Sequence, residues 1–201
     1  MSITSGHSNQ GPGKGPIIAL SVLLLTALAL GVVYVFPTVS NQGYAPDQPI
    51  PFSHKLHAGA NKIDCKYCHA AVETSRHATI PSMNVCMNCH SVVKLDSPHI
   101  QNLRKHFQEG KPVEWVRVHE LPDYVYFPHN RHVAKGLACE SCHGEVKSMD
   151  KISQFAKLNM GWCLKCHEGV TTPKAVLARV RIEQKNPHGP IGPLHCTACH
   201  N

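Results

Sequence analysis

Ten cysteines and sixteen histidines stand among the 201 residues, and every cysteine belongs to one pattern. Its five occurrences are Cys65-Lys66-Tyr67-Cys68-His69, Cys86-Met87-Asn88-Cys89-His90, Cys139-Glu140-Ser141-Cys142-His143, Cys163-Leu164-Lys165-Cys166-His167 and Cys196-Thr197-Ala198-Cys199-His200. C-x-x-C-H is the attachment signature of c-type haem. Two thiols bond to the porphyrin edge and the adjacent imidazole ligates the iron from one face. A disulfide or zinc framework has no need of a histidine after every pair, and a thioredoxin-like C-x-x-C would occur once, between a strand and a helix. The pattern predicts five covalently bound haem c groups. Cys65, Cys68, Cys86, Cys89, Cys139, Cys142, Cys163, Cys166, Cys196 and Cys199 would be the attachment points, and His69, His90, His143, His167 and His200 the proximal iron ligands.

The sixth position on each iron separates an electron relay from a site that transforms a small molecule. Donors are in surplus, because eleven histidines and five methionines remain for five sites. Four of the histidines lie in an internal repeat. Phe52-x-His54-x-x-His57 precedes Cys65, and Phe127-x-His129-x-x-His132 precedes Cys139. In both copies the first motif continues as H-x-x-V, and the second has a methionine three residues ahead, Met83 before Cys86 and Met160 before Cys163. The chain therefore reads as a duplicated module, with a dihaem part over 51–125 and a trihaem part over 126–201. If F-x-H-x-x-H is one helical turn, its histidines at i and i+3 share a face; the plain alternative is a solvated helical pair.

F-x-H-x-x-H about ten residues ahead of C-x-x-C-H resembles the class III multihaem cytochromes of the c3 and c7 types. In that family the first histidine ligates the haem that follows and the second reaches a later one. The resemblance implies that His54 serves the Cys65 haem and His129 the Cys139 haem, while His57 and His132 cross to neighbours. His119, in the stretch between the modules, is the preferred fifth distal ligand. Met83 and Met160 read more readily as core filler than as ligands, and a ligating methionine would raise its haem's potential. His77, His188 and His195 are reserves, and His7 lies on the far side of the apolar segment described next. His99 and His106 read as propionate partners or surface residues.

Several elements must carry these groups. Ile17 to Phe36 is twenty residues without a charge, enough at about 1.5 Å per residue to cross a hydrocarbon core of about 30 Å. It reads as a retained anchor, since a cleaved signal has a shorter apolar region and an A-x-A-like site. Residues 1–16 would be a cytoplasmic flank by the positive-inside rule, residues 37–50 a Pro-rich linker, and the haem domain would face the periplasm of a bacterial inner membrane. Ser97 to Gly110 has a serine cap, Pro98 at the first position and a glycine stop, and predicts a helix. A second helix is predicted over Pro173–Lys185, capped by Thr172. Otherwise the expected class is mainly α and irregular, with little or no sheet.

The formal charge of +7 would ordinarily suggest a nucleic-acid partner. Two propionates on each of five haems turn it into −3 with ferrous centres or +2 with ferric ones, so nucleic acid is excluded. With 6% aromatic residues the chain also lacks the makings of a large apolar core.

The anchor, the five motifs and the stretch Trp115-Val-Arg-Val-His-Glu-Leu-Pro-Asp-Tyr-Val-Tyr-Phe-Pro-His-Asn-Arg-His-Val133 together resemble the pentahaem cytochrome c subunit of alternative complex III. That resemblance implies a quinol-oxidising respiratory complex. Its partners would be an iron-sulfur, molybdopterin-like subunit and polytopic quinol-binding subunits, with a monohaem cytochrome c or a terminal oxidase as acceptor. The chain itself would perform no substrate chemistry. The alternative is a single-span quinol dehydrogenase of the kind that feeds periplasmic nitrate or nitrite reductases. Those usually carry four haems, the first soon after the span, whereas Cys65 lies well beyond Phe36.

Overall fold

Twenty uncharged residues in a row favour the one conformation that satisfies every backbone donor within the segment. Lys14–Ser40 accordingly form a 27-residue helix, α1. Its polar side chains are absorbed too, Ser21 Oγ donating to the Ile17 carbonyl at 2.9 Å and Thr26 Oγ1 to that of Val22 at 2.8 Å. Residues 14–35 of this helix are long and apolar enough to cross a membrane. The computed structural model describes residues 14–178 and 190–200. The chain falls into two units, Met1–Ser40 and Asn41–Asn201.

Beyond α1 the helices are short, as frequent proline and glycine require. A π-helical turn spans Lys55–Ala60, followed by α2, Cys65–Cys68, and a 3-10 turn, Ala70–Glu73. Then come α3, Met83–His90, α4, Pro98–Gln108, α5, His129–Ala134, and α6, Glu140–His143. A 3-10 turn at Val146–Ser148, α7 at Met160–His167, a helical stretch over 174–178 and a 3-10 turn at Cys196–Ala198 complete the described elements. The one antiparallel bridge among the described residues joins Val125 to His200. The fold is mainly helical and irregular, without a sheet in the described residues.

The sequence-predicted helix at 97–110 is α4, with Pro98 at its start and Gly110 at a left-handed φ of 65° after its end. Ser97 takes the cap position, yet its side chain makes no capping hydrogen bond. Thr172, expected as the cap of the second helix, donates its hydroxyl back to the Cys166 carbonyl at 2.7 Å, and the remainder of the predicted helix, from residue 179, lies outside the described residues. The stretch expected as a linker is part of the second unit from Asn41 onward. Ile50 is buried, Gln48 exchanges two hydrogen bonds of 2.9 Å with Val116, and Lys151 reaches Asp47 at 2.7 Å.

Ile50, Leu103 and Val113 form a small apolar cluster, with Met83, Cys86, Ile100 and Trp115 packed on it. Among the described residues few other apolar side chains are buried, namely Val72, Val118, Ala156 and Val176, although a unit of this length ordinarily buries most of its apolar surface. The most deeply enclosed side chain is polar. Gln154, at 1% exposure, accepts from the Glu120 amide at 3.1 Å and donates to the Ala156 carbonyl at 3.2 Å, while its backbone pairs with Gly43 and Tyr44.

The repeat copies are interlocked rather than side by side. The first F-x-H-x-x-H turn lies on the segment after the third motif, through Lys55 N to the Met149 carbonyl (2.9 Å), Ser53 Oγ to Asp150 (2.7 Å) and Lys55 Nζ to Asp150 (3.1 Å). Reciprocally, the second lies on the segment after the first motif, through His129 N to Arg76 O (3.2 Å), Asn130 N to Ser75 O (3.3 Å) and Asn130 Nδ2 to Thr74 O (3.3 Å).

Candidate functional site

Each C-x-x-C-H sits in or beside a helical turn, because thiols at i and i+3 must point the same way to reach one ring edge. Local sequence starts these turns. The Asp64 carboxylate accepts from Lys66 N at 2.8 Å ahead of α2, and Asn159 Oδ1 accepts from Trp162 N at 2.9 Å ahead of α7, ordinary N-cap contacts. None of the ten cysteines is paired in a disulfide. Burial raises the thiols of Cys68, Cys86, Cys139 and Cys163, and Cys142 is pushed up to about 11 by burial and then by Cys166 and Cys163. Reactive dithiols are depressed instead.

The histidines carry the most specific geometry. Four motif imidazoles use Nδ1 on a backbone carbonyl: His69 on Thr79 (2.7 Å), His90 on Val93 (3.1 Å), His167 on Pro193 (2.8 Å) and His200 on Tyr124 (3.2 Å). Three repeat histidines do the same, His57 on Ser53 (2.8 Å), His129 on Arg76 (2.8 Å) and His132 on Pro128 (2.9 Å). A carbonyl only accepts, so Nδ1 carries the proton and Nε2 keeps its lone pair. That tautomer and tethering are what metal-ligating histidines display. One tether uses a strained residue, since β-branched Thr79 sits at φ 62°, a conformation that costs about 1–3 kcal/mol.

The rings also pair. His57 and His90 have centroids 6.1 Å apart, His132 and His167 6.1 Å, and His129 and His143 6.4 Å with planes 12° from parallel. Two imidazoles trans on one metal, each at about 2 Å, place their centroids about 6 Å apart. Phe52 and Phe127 hold both repeat pairs in one manner. Phe52 stacks on His57 (4.4 Å, 21°) and meets His54 edge-on (4.9 Å, 82°); Phe127 stacks on His132 (4.2 Å, 30°) and meets His129 edge-on (4.8 Å, 90°).

His54, His69, His119, His129 and His143 gather at the centre. His119 packs edge-on against His143 at 4.5 Å, too close for an iron between the two. Burial, and then the neighbouring imidazoles, lowers both His54 and His143 to about 4; His119 and His132 are lowered chiefly by burial as well. These rings are therefore neutral at pH 7, the form that ligates metal. Nδ1 of His54 and Nε2 of His119 are buried without a partner, a cost of about 1–3 kcal/mol each unless something fills the space.

Other sequence candidates separate by environment. Met83 packs on the apolar cluster, Met160 is 67% exposed, and His77, His99 and His195 are exposed. His106 is half-buried with Nδ1 unpartnered. His7 and His188 lie outside the described residues, as do Arg179, Arg181 and Lys185 of the predicted second helix. Among the described residues no group of three or more His, Cys, Asp or Glu converges as for an all-protein metal ion; the imidazoles come in pairs. Paired Nε2 lone pairs, unpartnered buried nitrogens and paired thiols beside them fit covalently attached haem.

Comparison with known proteins agrees. The cytochrome c3 family matches residues 131–201. The multiheme cytochrome c subunit of a menaquinone reductase from Nitratidesulfovibrio vulgaris (strain Hildenborough) is 31% identical over 142 residues, 60% of this chain and 68% of that one. The chain belongs to the multihaem cytochromes c. The c3-type match begins inside α5 of the cytochrome and takes in its last three motifs. Membership implies covalently bound haem c, with which the ten thiols are compatible.

The two phenylalanine clamps and the carbonyl tethers escape residue-type reasoning. The clamp had a signal in the repetition of F-x-H-x-x-H. The tethers had none, because any residue supplies a carbonyl. Tyr124, stacked on His200 at 5.6 Å, went unnoticed in a stretch that resembled other cytochromes as a whole.

Proposed function

We propose that this cytochrome carries five haem c groups and relays electrons between a quinone-reactive complex in the bacterial inner membrane and a periplasmic carrier or terminal oxidase, as the pentahaem subunit of alternative complex III does. The observation that carries the reading is the set of tethered imidazole pairs about 6 Å apart. Haem iron supplies a one-electron couple. The His57–His90, His132–His167 and His129–His143 pairs would hold haem iron between them, and burial keeps His54, His132 and His143 neutral for that role. In this assignment His57 partners His90, His132 partners His167, His129 partners His143 and His54 partners His69. His119, the expected fifth distal donor, lies with its unpartnered Nε2 against His143 of the third motif rather than opposite His200. Residues 17–36 anchor the chain with the haem unit on the periplasmic side, and an iron-sulfur, molybdopterin-like subunit and polytopic quinol-binding subunits complete the complex.

The menaquinone reductase relative favours a second direction of flow, from a periplasmic donor into the quinone pool. One experiment separates relay through a partner from direct quinol oxidation by the chain. The complex purified with its subunits is mixed with a reduced menaquinol analogue under anaerobic conditions, and haem reduction is followed optically. Fast reduction of the complex with none in the isolated subunit supports relay from a partner. Fast reduction of the isolated subunit would instead make the chain itself a quinol dehydrogenase. A high-spin ferric EPR signal that shifts with nitrite would indicate an open haem and overturn the relay.

A further inference from the structure

The linear order of the motifs along the chain is not their order in space. We propose that they form one file, Cys86–Cys89, Cys65–Cys68, Cys139–Cys142, Cys163–Cys166, Cys196–Cys199, with the first and third motifs of the sequence adjacent on a local pseudo-two-fold and the second and fifth at the two ends. This rests on the five-haem reading and concerns what that reading leaves open.

Each junction has its own contact. At the Cys86/Cys65 junction, Asn88 Nδ2, inside one motif, donates to Tyr67 OH, inside the other, at 3.0 Å; His57, just ahead of Cys65, reaches His90. Cys68 also has Cys86 and Cys89 as electrostatic neighbours. At the Cys65/Cys139 junction the two thiols are electrostatic neighbours, and the reciprocal docking of the F-x-H-x-x-H turns brackets them. The pseudo-symmetry lies in that reciprocity: residues 53–59 meet 147–150 as residues 129–130 meet 74–76.

Further along, Cys142 has Cys163 and Cys166 beside it, and His132, just ahead of Cys139, reaches His167, as His57 reaches His90 in the other half. At the Cys163/Cys196 junction the His167 carbonyl accepts from Ile191 N (2.7 Å) and Gly192 N (3.2 Å), its Nδ1 donates to Pro193 O (2.8 Å), and Cys163 neighbours Cys199. The last motif is then held from outside the file by Tyr126 N to Cys199 O at 2.8 Å. Solvent access agrees with the ends so named, because Cys89 and Cys196 are the exposed cysteines and the other eight are half-buried. These ends are where an electron-transfer partner can approach most closely.

The test locates the irons in the full-length holoprotein by anomalous scattering at the iron edge, with each iron assigned to its motif in the map. The expected result is five irons whose successive nearest neighbours follow the stated file, with the Cys65 and Cys139 irons adjacent and the Cys86 and Cys196 irons each having a single near neighbour. A Cys86 iron nearest to Cys163 or Cys196, or a Cys196 iron between two others, would overturn it. Intact-mass analysis of the same sample separates this from the five-haem reading. Fewer than five haem additions would sink the count, whereas five additions with another spatial order would sink only the file.

Discussion

His57 and His132 do one job in two places. Each tethers Nδ1 to the carbonyl four residues back, stacks on the phenylalanine of its own turn and faces the imidazole of a different motif. Replacing either with methionine should raise the midpoint potential of one haem by on the order of 0.1 V and leave the rest near their values; a potentiometric titration superimposable on the wild type would remove that histidine from the ligand set. Phe52→Ala should cost about 1–3 kcal/mol through lost ring contacts, and Phe127→Ala should cost a similar amount, read as a lower thermal midpoint of the holoprotein. At this scale the C-x-x-C-H motifs and the repeat histidines stand out in the sequence because haem chemistry demands those residue types. The carbonyls of Thr79, Val93, Arg76 and Pro193 do not, since backbone atoms leave no mark on sequence.

Among the elements, the two F-x-H-x-x-H turns illustrate what spacing settles. A shared face for the histidines was legible, but one turn is π-helical and the other α-helical. Gly59 marks the first partner. A Cβ there would run into the Lys147 carbonyl, and backbone cannot retreat as a flexible side chain does. Gly59→Ala should therefore lower the unfolding midpoint by several degrees, equivalent to about 1–3 kcal/mol. Alanine at the exposed Gly110 or Gly43 would meet no atom, although their positive φ still strains it. Ser97→Ala offers the opposite expectation. The sequence nominates Ser97 as a cap, but without a capping bond its loss should change stability by less than about 0.5 kcal/mol; a loss above about 1 kcal/mol would mean the hydroxyl caps α4 in solution.

For the whole molecule, the scarcity of buried apolar side chains among the described residues leads to the expectation that bonds to haem hold Asn41–Asn201 together. Protein made without haem attachment should show no cooperative melt by circular dichroism; a sharp transition would mean that the polypeptide packs by itself. Fused to a cleavable export signal, residues 41–201 should mature with the spectrum of the full chain, because the two units are separately compact. Low aromatic content made the thin core legible in advance. The pairing of distant segments was beyond reach, since a repeat reveals two similar copies without revealing whether each folds upon itself or upon the other.

The mutual grip of the two copies also imposes a timetable. Lys55 docks on Met149, and Gly59 lies against Lys147; these partners are made some ninety residues later in synthesis. On the proposed periplasmic, haem-bearing assignment, the surface that encloses Cys65 and Cys68 does not yet exist when those residues emerge from export. On that assignment haem would be joined to an open chain, and the fold would close over the early groups only after the later half arrives. Such a protein is assembled in the manner of a clasp, loaded first and fastened last.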